Sequence, residues 1–299
     1  MTKTLPKIVF FGTENYSLIT LKALVESNFN VICVVTKHDT KHGRGHKLVE
    51  PPVKVFAKSH NIPVLQPNKV GEITEYIKQV QPVTGILVAY GKIIPQSVIG
   101  LFTPGIINVH PSLLPKYRGP SPIESAIANQ DTETGVSIMQ LDDKMDAGPI
   151  YAQARQALTG KETKPELYNQ LFHDGSALLT KILPDIVGGS LQAVPQNHSA
   201  ATYCQLLHKD ISHLDPETMN AAEADAHVRA YLEFPRSRLK INNAELIITK
   251  AHADTSPFSP LDVQCADGNW LIIDELISPT SGKKMTAEAF LRGHQVQIH

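Results

Sequence analysis

The first half of the chain alternates short β-rich apolar runs with stretches of helical spacing. The runs are KIVFFG (7–12), NVICVVT (30–36), IPVLQP (62–67), VTGILVAYG (83–91), GIINVH (105–110) and TGVSIMQLD (134–142). Between them, SLITLKALVES (17–27), VKVFAKSH (53–60), VGEITEYIKQV (70–80) and IESAIANQ (123–130) repeat apolar residues at helical intervals. Strands bridged by helices of this length form βαβ units. The fold class is therefore α/β, with a Rossmann-like, mostly parallel sheet covered on both faces. PELYNQLFHDGSALLTKILPDIVGG (165–189) predicts a long helix ending at glycine. SLQAVPQNHSAATY (190–203) lacks periodicity and reads as a linker. From about 208 the texture changes. A helix over 217–231 precedes short strand-like runs at 238–242, 245–251, 261–265 and 269–277, which suggest a small β-barrel, OB-like, or a sandwich. The expected division is 1–189, a linker over 190–207, and 208–299.

Charge and cysteine content narrow the function. The net charge of −1 over 299 residues gives no global attraction to a polyanion, so nucleic acid would have to be met by a local patch. Cys33, Cys204 and Cys265 are far apart and form no C-x-x-C pair, which argues against a zinc knuckle or a disulfide framework and for a reducing compartment. No secretory leader is legible at the start, and no stretch approaches the roughly 18 apolar residues of a membrane span. A cytoplasmic location without membrane association is expected. The turn FGTENY at the end of the first strand lacks G-x-G-x-x-G, so a dinucleotide cradle is not expected.

In open parallel sheets, ligands gather at the C-terminal ends of the strands. Here those ends carry Gly12–Thr13, Thr36–Lys37, Ala89–Gly91 and Asn108–His110. The last runs into NVHPSLLPKYRGPSP (108–122), whose prolines forbid helix and central strand and make a stiff loop. Asn108 and His110, two apart on a strand, leave the same face. A second polar turn, QLDDKMDAGP (140–149), follows the next strand, and Asp142, Asp143 or Asp146 can approach His110 if the strands are neighbours. A carboxylate beside an imidazole fixes its tautomer and favours its charged form, and an Asn amide can donate to a developing oxyanion. Asn, His and Asp without a Ser or Cys nucleophile suit acyl transfer in which the substrate, for instance an amine, supplies the nucleophile. Arg118–Gly119 reads as a solvated turn before the helix, with Ser121 as N-cap and Pro122 at N1.

N-V-H-P-S-L-L-P-K-Y-R-G-P-S-P-I resembles the signature of the folate-dependent formyltransferases. D-D-K-M-D-A-G (142–148) resembles their second motif, and F-F-G-T (10–13) and V-A-Y-G-K-I-I-P (88–95) resemble two strand-end motifs of the same family. The resemblance runs almost from end to end. Within the family, T-K-H-D-T-K-H-G-R-G-H-K-L (36–48) and G-K-K-M-T-A-E-A-F-L-R-G (282–293) resemble the basic loop and the ending of members that formylate methionyl-initiator tRNA. The resemblance implies that residues 1–189 form the formyltransferase domain and that 208–299 contact tRNA. It implies Asn108, His110 and Asp146 as the catalytic trio. Ser112, Leu113, Leu114 and Pro115, with Ala89, Tyr90 and Gly91, would hold the folate. The co-substrate implied is 10-formyltetrahydrofolate, without a metal, and the acceptor is the α-amino group of methionine on initiator tRNA. For the tRNA, Arg44 matches the arginine of the contacting loop, with Lys37, Lys41 and Lys47 beside it.

The sequence departs from the family in places. Lys37, His38 and Thr40 stand where relatives commonly have Gln, Pro and Arg, Pro216 replaces a Trp, and L-E-F-P (232–235) replaces N-P-W-P. From 208 onward nine Lys and Arg face thirteen Asp and Glu, a net −4. Only a local patch could meet RNA there, and Arg236, Arg238, Lys240, Lys283 and Lys284 are its candidates. The alternatives are a formyltransferase of the same fold acting on an amino-sugar nucleotide or a purine precursor, a 10-formyltetrahydrofolate hydrolase, and a non-catalytic RNA-binding module. With no coiled-coil heptads, a monomer is expected.

Overall fold

A computed structural model describes residues 6–42, 47–241 and 244–293. The chain packs as two units that are not contiguous in sequence. The first gathers the chain up to Gly119, Gly135–Gln156 and Tyr168–Tyr203; the second gathers Pro120–Thr134, Ala157–Leu167 and the chain from Cys204 onward. Most of the stretch expected as a linker thus packs with the first unit.

In chain order the first elements are β1 (Lys7–Gly12), α1 (Asn15–Glu26), β2 (Asn30–Val35), β3 (Thr40–His42), β4 (Lys47–Val49), α2 (Pro52–Ser59), β5 (Val64–Leu65), α3 (Thr74–Val80) and β6 (Thr84–Val88). They continue with α4 (Gln96–Ile99), β7 (Ile106–His110), α5 (Pro122–Ala128), β8 (Glu133–Gln140), β9 (Ile150–Ala157) and α6 (Lys164–Val187). One seven-stranded sheet runs β5-β2-β1-β6-β7-β8-β9. Its pairs β5–β2, β2–β1, β1–β6 and β6–β7 are parallel, and β7–β8 is antiparallel. The near-continuous apolar runs predicted burial on both faces, and both are covered. One core holds Ile8, Phe10, Ile86, Val88, Ile107 and Val109 with Leu179 and Leu183 of α6. The other holds Val9, Phe11, Val98, Ile99 and Ile106.

β9 was not legible. IYAQARQA alternates half-buried with exposed residues, as an edge strand does, and has no apolar run to announce it. The short hairpin β3–β4 inside the basic loop was not expected either; its pairing is antiparallel, Lys41 opposite Leu48.

The second unit contains α5, α7 (Ala221–Ala230), β10 (Ser237–Ile241), β11 (Ala244–Asp254), β12 (Val263–Gln264), β13 (Trp270–Ile277), β14 (Lys284–Thr286) and α8 (Ala287–Gly293). An antiparallel sheet runs β10-β11-β13-β12, with β14 also on β13. Its inner face buries Leu239, Leu246, Ile248, Leu271, Ile273 and Leu276 against α7 and α8. Asn220 caps α7, its side chain accepting from Glu223 N at 2.8 Å while the Glu223 carboxylate accepts from Asn220 N at 2.9 Å. β14 and α8 were missed because KMT is too short for a period to show. Among the described residues no helix is long and apolar enough to cross a membrane.

Candidate active site

β7 sets the geometry. All five of its residues are buried, and alternation turns Ile107 and Val109 into the α6-side core while Asn108 and His110 leave by the opposite face. Asn108 is only 6% exposed and His110 only 5%. Polar groups so deep need partners. His110 Nε2 lies 3.0 Å from the Tyr117 carbonyl. A carbonyl only accepts, so Nε2 carries a hydrogen and donates it. The other ring nitrogen, Nδ1, faces Asp146 Oδ2 at 3.8 Å. That is too long for a hydrogen bond, so Asp146 acts on the ring through its field.

Of the three aspartates left open by the sequence, the structure brings Asp146 to the ring. Asp142 and Asp143 are exposed, and Asp142 Oδ1 accepts from Asp143 N at 2.7 Å as a turn-former. The approach is less direct than adjacent strands would suggest. Because β8 is antiparallel, its last residue, Gln140, sits opposite Ile107, and His110 is opposite Ser137. The loop 141–149 therefore folds back to carry Asp146 to His110. Gly148 permits the return, since a Cβ there would overlap the Gln140 carbonyl. Asp146 is fixed by the Gly119 amide, which donates to Oδ2 at 2.8 Å.

Three non-glycine residues around this loop system hold left-handed backbone: Ala89 (φ 44°), Tyr117 (φ 56°) and Asp146 (φ 47°). Each costs about 1–3 kcal/mol relative to ordinary backbone, and such positions concentrate at functional sites. Tyr117's conformation aims its carbonyl at His110. The loop is also supported beneath. Ser137 Oγ donates to the Ser112 carbonyl at 2.6 Å and accepts from Leu114 N at 3.1 Å and from Gln153 Nε2 at 2.8 Å. Gln153 Nε2 also donates to the Leu114 carbonyl at 2.9 Å.

The folate candidates lie on two neighbouring strand ends, since β6 and β7 pair in parallel. Ser112 and Leu114 are buried, Leu113 and Pro115 half-buried, Ala89 half-buried and Gly91 exposed. Tyr90 differs. Its ring packs edge-on to Phe11 at 5.7 Å inside the core, burial pushes its phenol up to about 12, and its carbonyl accepts from Thr13 Oγ1 at 3.1 Å.

The tRNA candidates do not form one group. Lys37 is half-buried, and its ammonium lies over Gly91, where a Cβ would overlap it. It belongs to the strand-end cluster and not to the hairpin. Lys41 is exposed on β3. Arg44 and the Lys47 side chain lie outside the described residues. In the second unit the register aligns Arg238, Ile247, Ile277 and Lys284 across β10, β11, β13 and β14, opposite to the rung of Ser237, Ile248, Leu276 and Met285 that faces the core. Arg238, Lys240 and Lys284 therefore share the outer face. They are not unopposed there. Arg238 pairs with Glu245 at 2.6 Å and Lys284 with Glu275 at 2.5 Å. Arg236 and Lys283 are exposed.

Sequence reasoning missed two residues and misread one of them. Arg118 is 2% exposed, and not part of a solvated turn. Its guanidinium donates to Gln196 Oε1 from Nη2 at 2.8 Å and from Nε at 3.2 Å. Gln196 Nε2 donates in turn to the carbonyls of Asp146 at 2.8 Å and Gly148 at 2.7 Å. No local signal marks Gln196, because its partners lie 50 and 78 positions away. Ser121 stands at the N-cap of α5, yet its hydroxyl donates to the Gln205 carbonyl at 2.5 Å and does not cap the helix.

The family profile described as "Formyl transferase" matches residues 6–183. A methionyl-tRNA formyltransferase of Myxococcus xanthus is 36% identical over 303 residues, 97% of this chain and 96% of that protein. One from a Sulfurihydrogenibium species is 36% identical over 306 residues, 97% and 98% of the two chains. The chain belongs to the methionyl-tRNA formyltransferase family. Membership at this coverage extends over both units, including the diverged second one. The fold is shared more widely. The N-formyltransferase of Helicobacter canadensis, crystallised with folinic acid and dTDP-3-aminofucose, superimposes with a TM-score of 0.68 at 19% identity, over 90% of this chain and 99% of that one. The sugar 3N-formyltransferase WlaRD superimposes with a TM-score of 0.67 at 21% identity, over 90% and 97%.

Proposed function

We propose that this chain transfers the formyl group of 10-formyltetrahydrofolate to the α-amino group of methionine esterified to initiator tRNA, using Asn108, His110 and Asp146. One observation carries the assignment of residues: a carboxylate is held at 3.8 Å from a buried imidazole on the strand face that also bears an Asn amide. The donor molecule, when bound, supplies a formyl carbon on N10. The neighbouring ends of β6 and β7 suit such a molecule, because Leu113 and Pro115 offer apolar surface and Ala89 and Gly91 offer main-chain groups.

The chemistry requires a neutral amine to add to that carbon, placing negative charge on oxygen. Collapse of this species breaks the bond from the formyl carbon to N10; the amine nitrogen gives up a proton and N10 takes one, so that tetrahydrofolate leaves. Asn108 donates an N–H toward that charge. His110 Nε2–H is committed to Tyr117, so Nδ1 is the ring position at which a proton is held and exchanged. Asp146, anchored by Gly119, lies beside Nδ1 and stabilises the imidazolium when it forms. Burial of Asn108 and His110, with Asp146 half-buried beside them, strengthens each of these interactions relative to water. For the tRNA, the hairpin β3–β4 offers Lys41 on an exposed ribbon, and the outer face of the second unit offers Lys240. Arg binds phosphate and base edges in a planar fork, Lys as a point charge.

The test is a labelled transfer assay. 10-Formyltetrahydrofolate carrying a labelled formyl carbon is incubated with the protein and charged initiator tRNA. Label on the methionyl-tRNA, lost in His110→Ala, supports the reading. Label released as free formate, or moved only to an amino-sugar nucleotide, overturns it.

A further inference from the structure

We infer that Gln196 is a positioning residue for the formyl transfer, holding the Asp146 loop in its reactive shape, with Arg118 fixing which end of the Gln196 amide faces that loop. The inference rests on the reading above that His110 and Asp146 carry the chemistry. The argument starts from donors and acceptors. An arginine side chain only donates. The Gln196 atom that meets both Nε and Nη2 of Arg118 is therefore the carbonyl oxygen, and the amide nitrogen must point the other way. There it finds two carbonyls, those of Asp146 and Gly148, at 2.8 and 2.7 Å. Both amide hydrogens are used, one on each side of Ala147.

This grip falls where the loop needs it. Asp146 holds left-handed backbone, φ 47°, which an aspartate adopts only at a cost unless its surroundings enforce it. The Gly119 amide secures the carboxylate and Gln196 secures the main chain, so side chain and backbone are pinned separately. Arg118 is itself braced. Its Nη2 donates to His198 Nδ1 at 3.0 Å, its Nη1 lies 3.4 Å from the Tyr203 hydroxyl, and its amide donates to the Thr202 carbonyl at 2.9 Å. The stretch 194–203 is thus sewn to the site at several points: Val194 and Ile150 also exchange a pair of main-chain hydrogen bonds, each 2.8 Å. A displacement of about 1 Å in such a constellation is enough to cost two orders of magnitude in rate.

Gln196→Glu is the discriminating variant. It conserves volume and improves the contact with Arg118, yet sets an oxygen against two carbonyls. Activity is measured with intact charged initiator tRNA and 10-formyltetrahydrofolate. The expected result is a fall in kcat of at least about tenfold, with both KM values within about threefold of wild type. The double variant Gln196→Glu/Asp146→Asn is expected to be no slower than Asp146→Asn alone, because Gln196 acts through Asp146. Additive losses in the double variant, or near-wild-type kcat in Gln196→Glu, would overturn the inference. Should Gln196→Glu fail to fold by circular dichroism, Gln196→Asn decides by the same cycle: it keeps both chemistries and withdraws the donor by one methylene. His110→Ala run alongside separates the two readings. If His110→Ala is active, the catalytic assignment has failed; if it is dead while the Gln196 variants run at full rate, only the positioning role has failed.

Discussion

Around His110 the polar side chains are buried or half-buried and, the Asp146 carboxylate beside the ring apart, are met by uncharged groups at fixed distances. On the outer face of β10–β14 the charged side chains stand in water and are met by opposite charges. Arg118 and Arg238 make the contrast within one residue type. Arg118 is 2% exposed and spends its donors on Gln196, His198 and Tyr203, while the Arg238 side chain is 37% exposed and pairs with Glu245. Losing a partner of a buried hydrogen bond leaves an unsatisfied group and costs about 1–3 kcal/mol. Exposed ion pairs are worth about 0–1 kcal/mol. The first region is therefore built to hold geometry, and the second is free to exchange its partners, as a surface that meets a polyanion must be.

The comparison breaks first at His110. His110→Ala is expected to lower kcat by about 10²–10⁴-fold, the effect of removing a positioned general acid–base, while leaving the fold intact. Single-turnover transfer to charged initiator tRNA measures it, and a rate within severalfold of wild type would contradict the assignment. Next in size is Arg118→Ala. It strands the Gln196 carbonyl and opens a gap, so a loss of about 2–3 kcal/mol is expected, read as a melting point lowered by about 4–12 °C. An unchanged melting point would mean that the network bears no weight. Lys41→Ala follows. If the β3–β4 ribbon meets RNA, its KM for tRNA rises about fivefold and the slope of log K against log salt falls by about one, with kcat preserved.

Much of this was legible in the sequence, for reasons that can be named. The parallel sheet was readable because buried strands are continuously apolar, as in KIVFFG and GIINVH. Asn108 and His110 were readable because period-two alternation and the following proline fix their direction. Spacing narrowed the carboxylate only to one of three aspartates, since all sit in a turn that any aspartate suits; the family resemblance alone singled out Asp146. Gln196 and the burial of Arg118 were invisible: both depend on contacts across tens of residues, and a KYRGP segment looks the same in solvent as in a clamp. β9 escaped because an edge strand alternates too weakly.

One residue of the second unit behaves like those of the first. His227 donates from Nε2 to the Ile211 carbonyl at 2.7 Å and meets Ser237 Oγ through Nδ1 at 2.8 Å, and burial lowers its pKa below the usual imidazole range. The sign follows directly. The unfolded chain takes up this proton near pH 6.5, whereas the folded chain resists it until lower pH, so unfolding gains protons below about 6.5. Stability from this group is complete above that pH and is lost progressively below it. Melting temperatures measured between about pH 7.5 and 5 are expected to fall a few degrees more in wild type than in His227→Gln. Parallel curves would show that the ring is not held neutral.

The smallest expected effect tests the second region most directly. Arg238, Lys240 and Lys284 share a face with Glu245 and Glu275, and the acids hold two of the three bases. If that face meets tRNA, the glutamates compete with phosphate for the same cations, and neutralising them frees charge without adding any. Glu245→Gln/Glu275→Gln is expected to tighten tRNA binding about threefold at low salt and to steepen its salt dependence by up to two phosphate equivalents, with kcat unchanged. The same change does nothing if the bases serve only to solvate the sheet. Because the surface pairs contribute so little to stability, the melting point should hold in either case, so the salt slope alone decides between a solvated face and a binding one.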